Sequence, residues 1–438
     1  MYNLRGGFLI RPLTIALTLG FAGASLSWLE EDYPAAFSWV PSALFPSHAD
    51  PQVAQVILAG IAASIMTVVS IVFAILLMTL TLASMQFSPR IIVSFSRDRV
   101  TQWTLGIFLG TFSYCMAALP AARSIPHPFA PVATVLGAMV LALVCVGLLL
   151  FFIHHISQAI SVNHIVDRIA EETEAMIDEM MPLPHWPNRL ETADPLTANP
   201  SEVAIPSHDS GYIRFIDTRR LVALAKHHHV SIRVLRRVGH FVPVGVPLMM
   251  VSKGNRLPPE ATADLQAAFD IGPTRTLQQD VEFGVLQIVD VALKAISPAV
   301  NDPTTAITCV DQLSRILIRF ASRQPPDELL YDPPGIVRVS VRWMHFERLL
   351  EAAFEQIRMY SKTDLAVSLR LLRALVDIAA STADPEIRRV LVERGTRIVS
   401  GCAERLAEEE LRALRVRQTE LEILAVISQS QMEAADGG

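Results

Sequence analysis

The chain has 438 residues, 51% of them apolar and 18% charged, and a formal net charge of −6. This length allows two or three domains, and so mild a charge argues against a nucleic-acid partner. The charged residues come almost entirely after His154, so the sequence predicts a membrane part first and a soluble part second. The cysteines lack metal-ligand or disulfide spacing, so we expect buried thiols, a reducing compartment and no metal site. They are Cys115, Cys145, Cys309 and Cys402.

The first predicted transmembrane helix covers residues 8–29. Arg5 and Arg11 stand close to an apolar run, as in a signal sequence, but no small-residue cleavage site precedes Trp28. We therefore expect this helix to be retained in the mature protein. The loop that follows, as far as Pro51, contains Asp and Glu but no Lys or Arg.

The second predicted transmembrane helix, residues 53–85, organises the membrane part. From the start of this helix, no charged residue occurs until Arg90. The uncharged run is longer, by about half, than the ~20 residues that are needed to cross a bilayer. Small and hydroxyl side chains recur every three or four residues along one face of this helix. They are Gly60, Ser64, Thr67, Ser70, Ala74, Thr81 and Ser84. Such a face either lines a wet path or allows another helix to pack closely, and both interpretations stay open.

The segment after this helix, up to Arg90, lies where the chain leaves the lipid. Gln86 and Ser88 can hydrogen-bond at the membrane surface. Pro89 can bend or end a helix, and Arg90 can reach phosphate headgroups. The segment therefore predicts either a gate at the cytoplasmic mouth or an ordinary membrane exit.

Two further helices complete a four-helix membrane part. Residues 103–121 are the third, in which Gly106 and Gly110 form a GxxxG pair that permits close backbone contact. Residues 131–153 are the fourth. An apolar stripe continues beyond it through residues 156–182, so we expect a stalk helix. Its apolar face should meet the second helix or a copy of itself.

The positive-inside rule orients these helices. Basic residues cluster near the N-terminus and between the second and third helices, on one side, whereas the acidic first loop lies on the other. An even number of crossings returns the chain to its starting side. Both termini and everything after His154 are therefore predicted to be cytoplasmic.

The soluble part divides into three segments and a tail. Residues 183–206 contain several prolines and predict a linker, and residues 207–256 alternate like strands and predict a small β-rich module. Residues 257–430 have helical periodicity, and residues 431–438 are expected to be a disordered tail. Capping aspartates mark the predicted helix starts. They are Asp217, Asp302, Asp364 and Asp384.

Two polar segments of the helical domain hold candidate site residues. These are Arg275, Gln279 and Asp280 in one segment, and Ser297, Asn301 and Asp302 in a helix-break-helix at residues 296–306. We expect the first group to lock its helix against the second, whose main interpretation is a structural turn and whose alternative is an ion site. No familiar catalytic motif occurs in the sequence, so we expect neither enzyme activity nor a cofactor.

Several motifs together resemble one bacterial family. SMQFSPR, FFIHHI, RTLQQDVEFG and AISPAVNDPTTAITCVDQL are similar to segments of the membrane-protein family called domain of unknown function 2254. The resemblance spans nearly the whole chain and implies an integral inner-membrane protein, but no particular chemistry. The positions carried over as family signatures are Gln86, Ser88, Pro89, Arg90, Arg275, Gln279, Asp280, Ser297, Pro298, Asn301, Asp302 and Pro303.

These features favour a homo-oligomeric channel or pore-type transporter in the lipid bilayer, gated by its cytoplasmic domain. The absence of acid, base or arginine inside the helices disfavours proton-coupled transport. The alternative is a membrane-anchored sensor or scaffold whose cytoplasmic domain binds a ligand or a protein partner. A deep polar pocket near Arg275, Asp280 and Asn301 would favour that alternative. An enzyme acting on lipid or nucleotide comes third.

Overall fold

The computed structural model describes residues 10–33, 37, 50–86, 99–124, 128–159, 161–181, 202–332 and 335–436. The chain falls into two compact units, Met1–His164 and Ile165–Gly438. The first contains four long apolar helices, and the second is mostly helical with two small β-sheets. The predicted fold class is therefore confirmed.

Four helices are long and apolar enough to cross a membrane. They are α1 (Ile10–Asp32), α2 (Pro51–Gln86), α3 (Arg99–Ala118) and α4 (Val132–Ala159). A short 3₁₀ helix, Leu119–Ala121, extends α3. These bounds lie within about four residues of the predicted helices, because an unbroken apolar run is itself the signal of a crossing. The exception is the end of α4, which extends about six residues beyond the predicted end at residue 153.

Glycines bring α1 and α3 into close contact. A Cβ built on Gly106 would lie 2.7 Å from Ile15 Cδ1, and one on Gly110 would collide with Leu19. On the α1 side, a Cβ on Gly23 would lie 2.6 Å from the carbonyl oxygen of Tyr114. The GxxxG pair therefore permits close helix packing, as predicted, and α1 is its partner.

A buried carboxylate joins the end of α1 to the start of α4. Glu30 is 6% exposed and accepts hydrogen bonds from the amides of Ala133 (2.8 Å) and Thr134 (3.0 Å) and from the Thr134 hydroxyl (3.0 Å). These are among the first amides of α4, which have no partners within their own helix and favour a negative charge. Beside it, Arg123 forms an ion pair with Glu31. Two residues of the predicted acidic loop are thus part of the helix packing.

Two small sheets occupy the second unit. The five-stranded sheet has the order β1-β5-β3-β8-β7 and the three-stranded sheet β4-β2-β6, with only β3 and β8 parallel among these pairs. The strands are β1 (Glu202–Pro206), β2 (Gly211–Ile216), β3 (Ile232–Val234), β4 (Phe241–Val242), β5 (Pro247–Ser252), β6 (Phe269–Gly272), β7 (Leu329–Asp332) and β8 (Ile336–Ser340). Ile213, Ile232 and Leu248 are fully buried in the core of this part.

The sheets extend beyond the predicted β-rich module of residues 207–256. Residues 202–206 were predicted as linker but form β1, which pairs with β5; residues 183–201 lie outside the described residues. Strands β6, β7 and β8 come from the segment predicted to be helical, 257–430. The helical prediction was wrong there because each strand is only four or five residues long, and its pairing partner is distant in the chain.

The helices of the second unit are capped mainly as predicted. They are α5 (Val162–Met180), α6 (Thr218–His227), α7 (Pro259–Gln266), α8 (Val281–Ala295), α9 (Pro303–Ala321), α10 (Phe346–Tyr360), α11 (Leu365–Ser381), α12 (Pro385–Cys402) and α13 (Glu408–Asp436). Asp217, Asp302, Asp364 and Asp384 each accept a backbone amide in the first turn of the helix that follows. Because α13 continues to Asp436, the prediction of a disordered tail over residues 431–438 was wrong for 431–436.

Helix α5 corrects the predicted stalk. Helix α4 ends at Ala159 and α5 begins at Val162, so the expected continuous helix over 156–182 is broken. The apolar face of α5 packs inside the second unit, where Thr173 lies directly against Gly284 of α8. The predicted partners of this face were the second membrane helix or a copy of itself, whereas in the described residues the second unit of the same chain buries it. The periodicity predicted that this face is buried but could not identify what buries it.

Arginines of α9 fasten α5 further. Arg315 forms ion pairs with Asp167 (2.9 Å) and Glu174 (2.6 Å), and both Arg319 and Arg323 contact Asp178. The hydrogen bond from Arg319 lowers the pKa of Asp178. Most of these groups are partly exposed, so each pair alone adds at most about 1 kcal/mol. Together they hold α5 in one register on α9.

Candidate functional site

The small-residue face of α2 is exposed on the first unit. The buried side of α2 consists of Ala54, Leu58, Ala62, Ile65, Val69, Val72 and Thr79, and packs against α3 and α4. The opposite side carries the predicted row Gly60, Ser64, Thr67, Ser70, Ala74 and Thr81, all of them exposed. A Cβ built on Gly60 would find no described atom within 4 Å. No other helix of the described chain covers this row.

Three hydroxyl groups of this row are hydrogen-bonded within α2. Thr67, Ser70 and Thr81 donate to the carbonyls of Ala63, Met66 and Leu77, respectively, at 3.1, 2.9 and 2.8 Å. Each proton is therefore held by the helix, and the hydroxyl adds no unsatisfied donor to a water-free surface. The oxygen lone pairs are the remaining hydrogen-bonding capacity of these three side chains.

The predicted cytoplasmic mouth cannot be placed. Ser88, Pro89 and Arg90 lie outside the described residues. Ser84 and Gln86 belong to the last turn of α2, but their side chains are not described. The gate or hinge at this segment therefore stays a prediction.

A buried charged cluster lies at the start of α8. Arg275 donates to both carboxylate oxygens of Asp280 at 2.7 Å and to Glu282 at 3.1 Å. Asp280, 4% exposed, also accepts the amide of Phe283 at 3.1 Å and so caps α8. The carboxylate of Asp280 thus ends a helix and neutralises an arginine at the same point. Residues 275–279 form the turn before this helix, not part of it.

Distant segments complete this cluster. Arg237 donates to Glu282 at 3.3 Å and, through Nε, to Nε2 of His240 at 2.9 Å. Burial lowers the pKa of His240, and the neighbouring Arg237 lowers it further, so the imidazole is neutral at pH 7 and accepts this hydrogen bond. The backbone of Gly239, at φ +86°, lies against the ion pair of Arg275 and Asp280. A Cβ built on this glycine would lie 2.6 Å from Asp280 Oδ2. Sequence patterns did not identify Arg237, His240 or Glu282, because no local spacing links them.

Gln279 ties the same turn to strand β2. Its side-chain amide accepts from the amide of Ile216 at 3.0 Å and donates to the Ile216 carbonyl at 3.4 Å. These two hydrogen bonds pair the backbone N–H and C=O of the last residue of β2 with a side-chain amide, as a neighbouring strand would do. Beside the cluster lies a cavity of about 40 Å³, lined by Arg237, Gln279 and Asp280 among mostly apolar neighbours. This volume suits water molecules and not a ligand of several heavy atoms.

The second predicted polar segment lies at the other end of α8. Fifteen residues of helix separate the two groups, which corresponds to ~22 Å, so they do not form one cluster as expected. In the turn, Asn301 has φ +50° and donates its amide to Ser297 O at 2.9 Å, while the amide of Asp302 donates to Ala295 O at 2.8 Å. These bonds support the structural interpretation of the turn. Among the described residues, no three His, Cys, Asp or Glu side chains are grouped so as to hold a metal ion.

Removing the cap at this turn gives a modest prediction. Asp302→Ala should lower the free energy of unfolding by about 1 kcal/mol, because the amide and hydroxyl of Thr305 lose their acceptor. Those bonds hold the pKa of Asp302 below its ordinary 3.8. The stabilisation is therefore present above that value and is lost as the pH falls through the lower folded pKa. Denaturant unfolding of native and variant chains at neutral and acidic pH measures both effects, and an equal difference at both pH values would contradict the prediction.

The helices, the uncharged hydroxyl face and the soluble unit define an integral-membrane protein with four crossing helices and a large extramembrane domain. The chain belongs to the family described as predicted membrane protein (DUF2254), whose model matches residues 5–377. The resemblance seen in the sequence motifs is thereby confirmed. Helices α12 and α13 lie beyond the matched residues.

Uncharacterized proteins of Mycobacterium bovis and Mycobacterium tuberculosis are similar to this chain. Each is 32% identical over 373 residues, which cover 83% of this chain and 71% of the relative. No solved structure matches the chain significantly. The family is described as a membrane protein, and these relatives are described only as uncharacterized proteins.

Proposed function

We propose that the protein is a homo-oligomeric channel or pore-type transporter whose conduit is lined by the outer face of α2. The observation that carries this proposal is the exposure of Gly60, Ser64, Thr67, Ser70, Ala74 and Thr81 on the side of α2 opposite its intramolecular contacts. A face built for packing inside one subunit would be covered by α1, α3 or α4. A face built only for lipid has no need of repeated hydroxyls.

The chemistry of this face favours cations or small polar solutes. The hydroxyl protons of Thr67, Ser70 and Thr81 are donated to helix carbonyls, so the oxygens are the groups that a permeant would meet. Helix α2 contains no charged residue that would bind a permeant tightly, and weak binding suits rapid passage. We also propose that both termini lie in the cytoplasm of a bacterial cell, on the basis of the arginine distribution.

Gating is assigned to the second unit through α5. This helix begins at Val162, shortly after α4 ends at Ala159, and is held to α9 by Arg315, Arg319 and Arg323. A displacement of the helical domain would therefore be transmitted along the chain to the end of α4. The sensor alternative has less support, because the cavity beside Asp280 is small and the charges around it are paired. Binding of a protein partner by the helical domain stays a prediction, as does the absence of enzyme activity.

Ion flux into liposomes tests the proposal. Gly60→Leu, Ser64→Leu and Thr67→Leu should each reduce cation flux by about tenfold or more, because an apolar constriction excludes water. Gly147→Leu is the matched control: this glycine lies in α4, is exposed, and has no described atom within 4 Å of a built Cβ. Unchanged flux in all three α2 variants, or an equal loss in the Gly147 control, would refute an α2-lined conduit.

A further inference from the structure

Helix α13 has two faces of different character. Its inner face packs on α11 and α12 and consists of Leu411, Leu414 and Leu421. Its outer face carries Val416, Thr419, Ile423 and Val426, with Val416 67% and Ile423 53% exposed. These four residues, named here the α13 seam, are spaced three, four and three apart. That spacing defines the a and d positions of a coiled coil.

The residues beside the seam are complementary to the seam of an identical chain. With Val416 and Ile423 at a positions, Arg415 occupies a g position and Glu420 the following e position. In a parallel pair of helices, each g side chain faces the e side chain five residues further along the other helix. Arg415 would therefore face the partner's Glu420, and the two-fold axis repeats this pair. Both side chains are exposed, and their present ion pairs, Arg415 with Glu408 and Arg417 with Glu420, are on the surface.

We infer that the α13 seam binds the α13 seam of a second copy of this chain, in parallel and in register. In this register the charge pair between Arg415 and the partner's Glu420 forms once on each side of the seam. The contact is self-complementary, as a two-fold interface requires. The seam lies in α13, beyond residues 5–377 that the family model matches.

The seam is too short to hold two chains together alone. Four layers of side chains bury much less than the ~1,200–2,000 Å² of a stable interface. The inference therefore rests on the homo-oligomer of the proposed function, in which the membrane helices bring the copies together and the seam fixes their soluble units. Confinement in one bilayer raises the effective concentration of one seam for another.

Disulfide crosslinking of the full chain in proteoliposomes tests the pairing. Val416→Cys and Ile423→Cys should each form a covalent dimer under mild oxidation, because a parallel pair places identical a positions opposite each other. An antiparallel pair places residue 416 opposite residue 426, ~15 Å along the helix from the other 416, and gives no such dimer. The native cysteines are all buried, and Glu404→Cys provides an exposed control outside the seam. Absence of dimer in both seam variants, or equal dimer in the control, overturns the inference.

A charge exchange tests the register. In the Val416→Cys background, Arg415→Glu or Glu420→Arg should lower the crosslinked fraction by about tenfold. Either substitution gives residues 415 and 420 the same charge, and the two chains bring this pair together on both sides of the seam. Combining both substitutions should restore the crosslinked fraction. Glu422→Arg is the matched control and should leave the crosslink in place, because Glu422 lacks this parallel partner. Failure of the double variant to recover would overturn the parallel register.

A third measurement separates this inference from the pore. Flux without any α13 crosslink would overturn the seam and leave the α2 conduit standing. An α13 crosslink without flux sensitivity at Gly60, Ser64 and Thr67 would overturn the conduit and leave the seam. Ser64→Cys crosslinking in the same vesicles reports directly on whether the α2 faces meet.

Discussion

Asp280→Ala should lower the free energy of unfolding of the second unit by about 3 kcal/mol, several times the effect of an ordinary helix cap. The substitution removes the acceptor for the amide of Phe283 and, at the same time, both hydrogen bonds that neutralise Arg275. Arg275 is only 13% exposed at its side chain and keeps one carboxylate partner, Glu282, besides the face of the Phe283 ring. Breaking a buried ion pair by removing one partner costs more than the pair itself contributes, because the remaining charge stays in a poorly solvated site.

Denaturant unfolding of the purified full chain measures this effect. Asp302→Ala is the matched control, since it removes the N-cap of the next helix without leaving a buried charge. Asp280→Asn should fall between the two, because its amide oxygen can still cap α8. Equal losses for Asp280→Ala and Asp302→Ala would show that Asp280 is only a cap and that the ion pair contributes nothing.

The features predicted correctly from the sequence are local ones. The four crossing helices follow from the lengths of apolar runs, and the caps at Asp302, Asp364 and Asp384 follow from residue types at adjacent positions. In the same way, Gly106 and Gly110 predicted a close helix contact. Each of these signals is contained in a few consecutive turns of chain.

The features that could not be predicted depend on residues far apart in the sequence. Arg237 reaches Glu282 across 45 residues, and Glu30 caps a helix that begins about a hundred residues later. Strand β8 pairs with β3, which lies about a hundred residues earlier in the chain, so its five residues were not recognised. The apolar stripe of α5 predicted burial, but packing on α8 is a property of the folded unit. For the candidate conduit, the sequence identified the small face of α2, whereas its exposure could be learned only from the arrangement of the other helices.

The second large effect is expected at Gly23. Gly23→Leu should destabilise the membrane unit by about 3 kcal/mol or more, because its Cβ would lie 2.6 Å from the carbonyl oxygen and 3.0 Å from the Cα of Tyr114. Both obstructing atoms are backbone and cannot rotate away. Helices α1 and α3 would have to separate, which would also loosen the contacts of Ile15 and Leu19 on the GxxxG pair.

Gly147→Leu is again the matched control, since it adds the same side chain to a membrane helix at a position with open space. The loss of folded protein on heating in detergent, followed by size-exclusion chromatography, should show a lower midpoint for Gly23→Leu and an unchanged one for Gly147→Leu. Equal midpoints would mean that α1 is not held against α3.

The packing of α1 also bears on the proposed conduit. Because α1 is committed to α3 and, through Glu30, to α4, it is not available to cover the outer face of α2. Within the described residues that face is left open, as the proposed contact with another subunit requires.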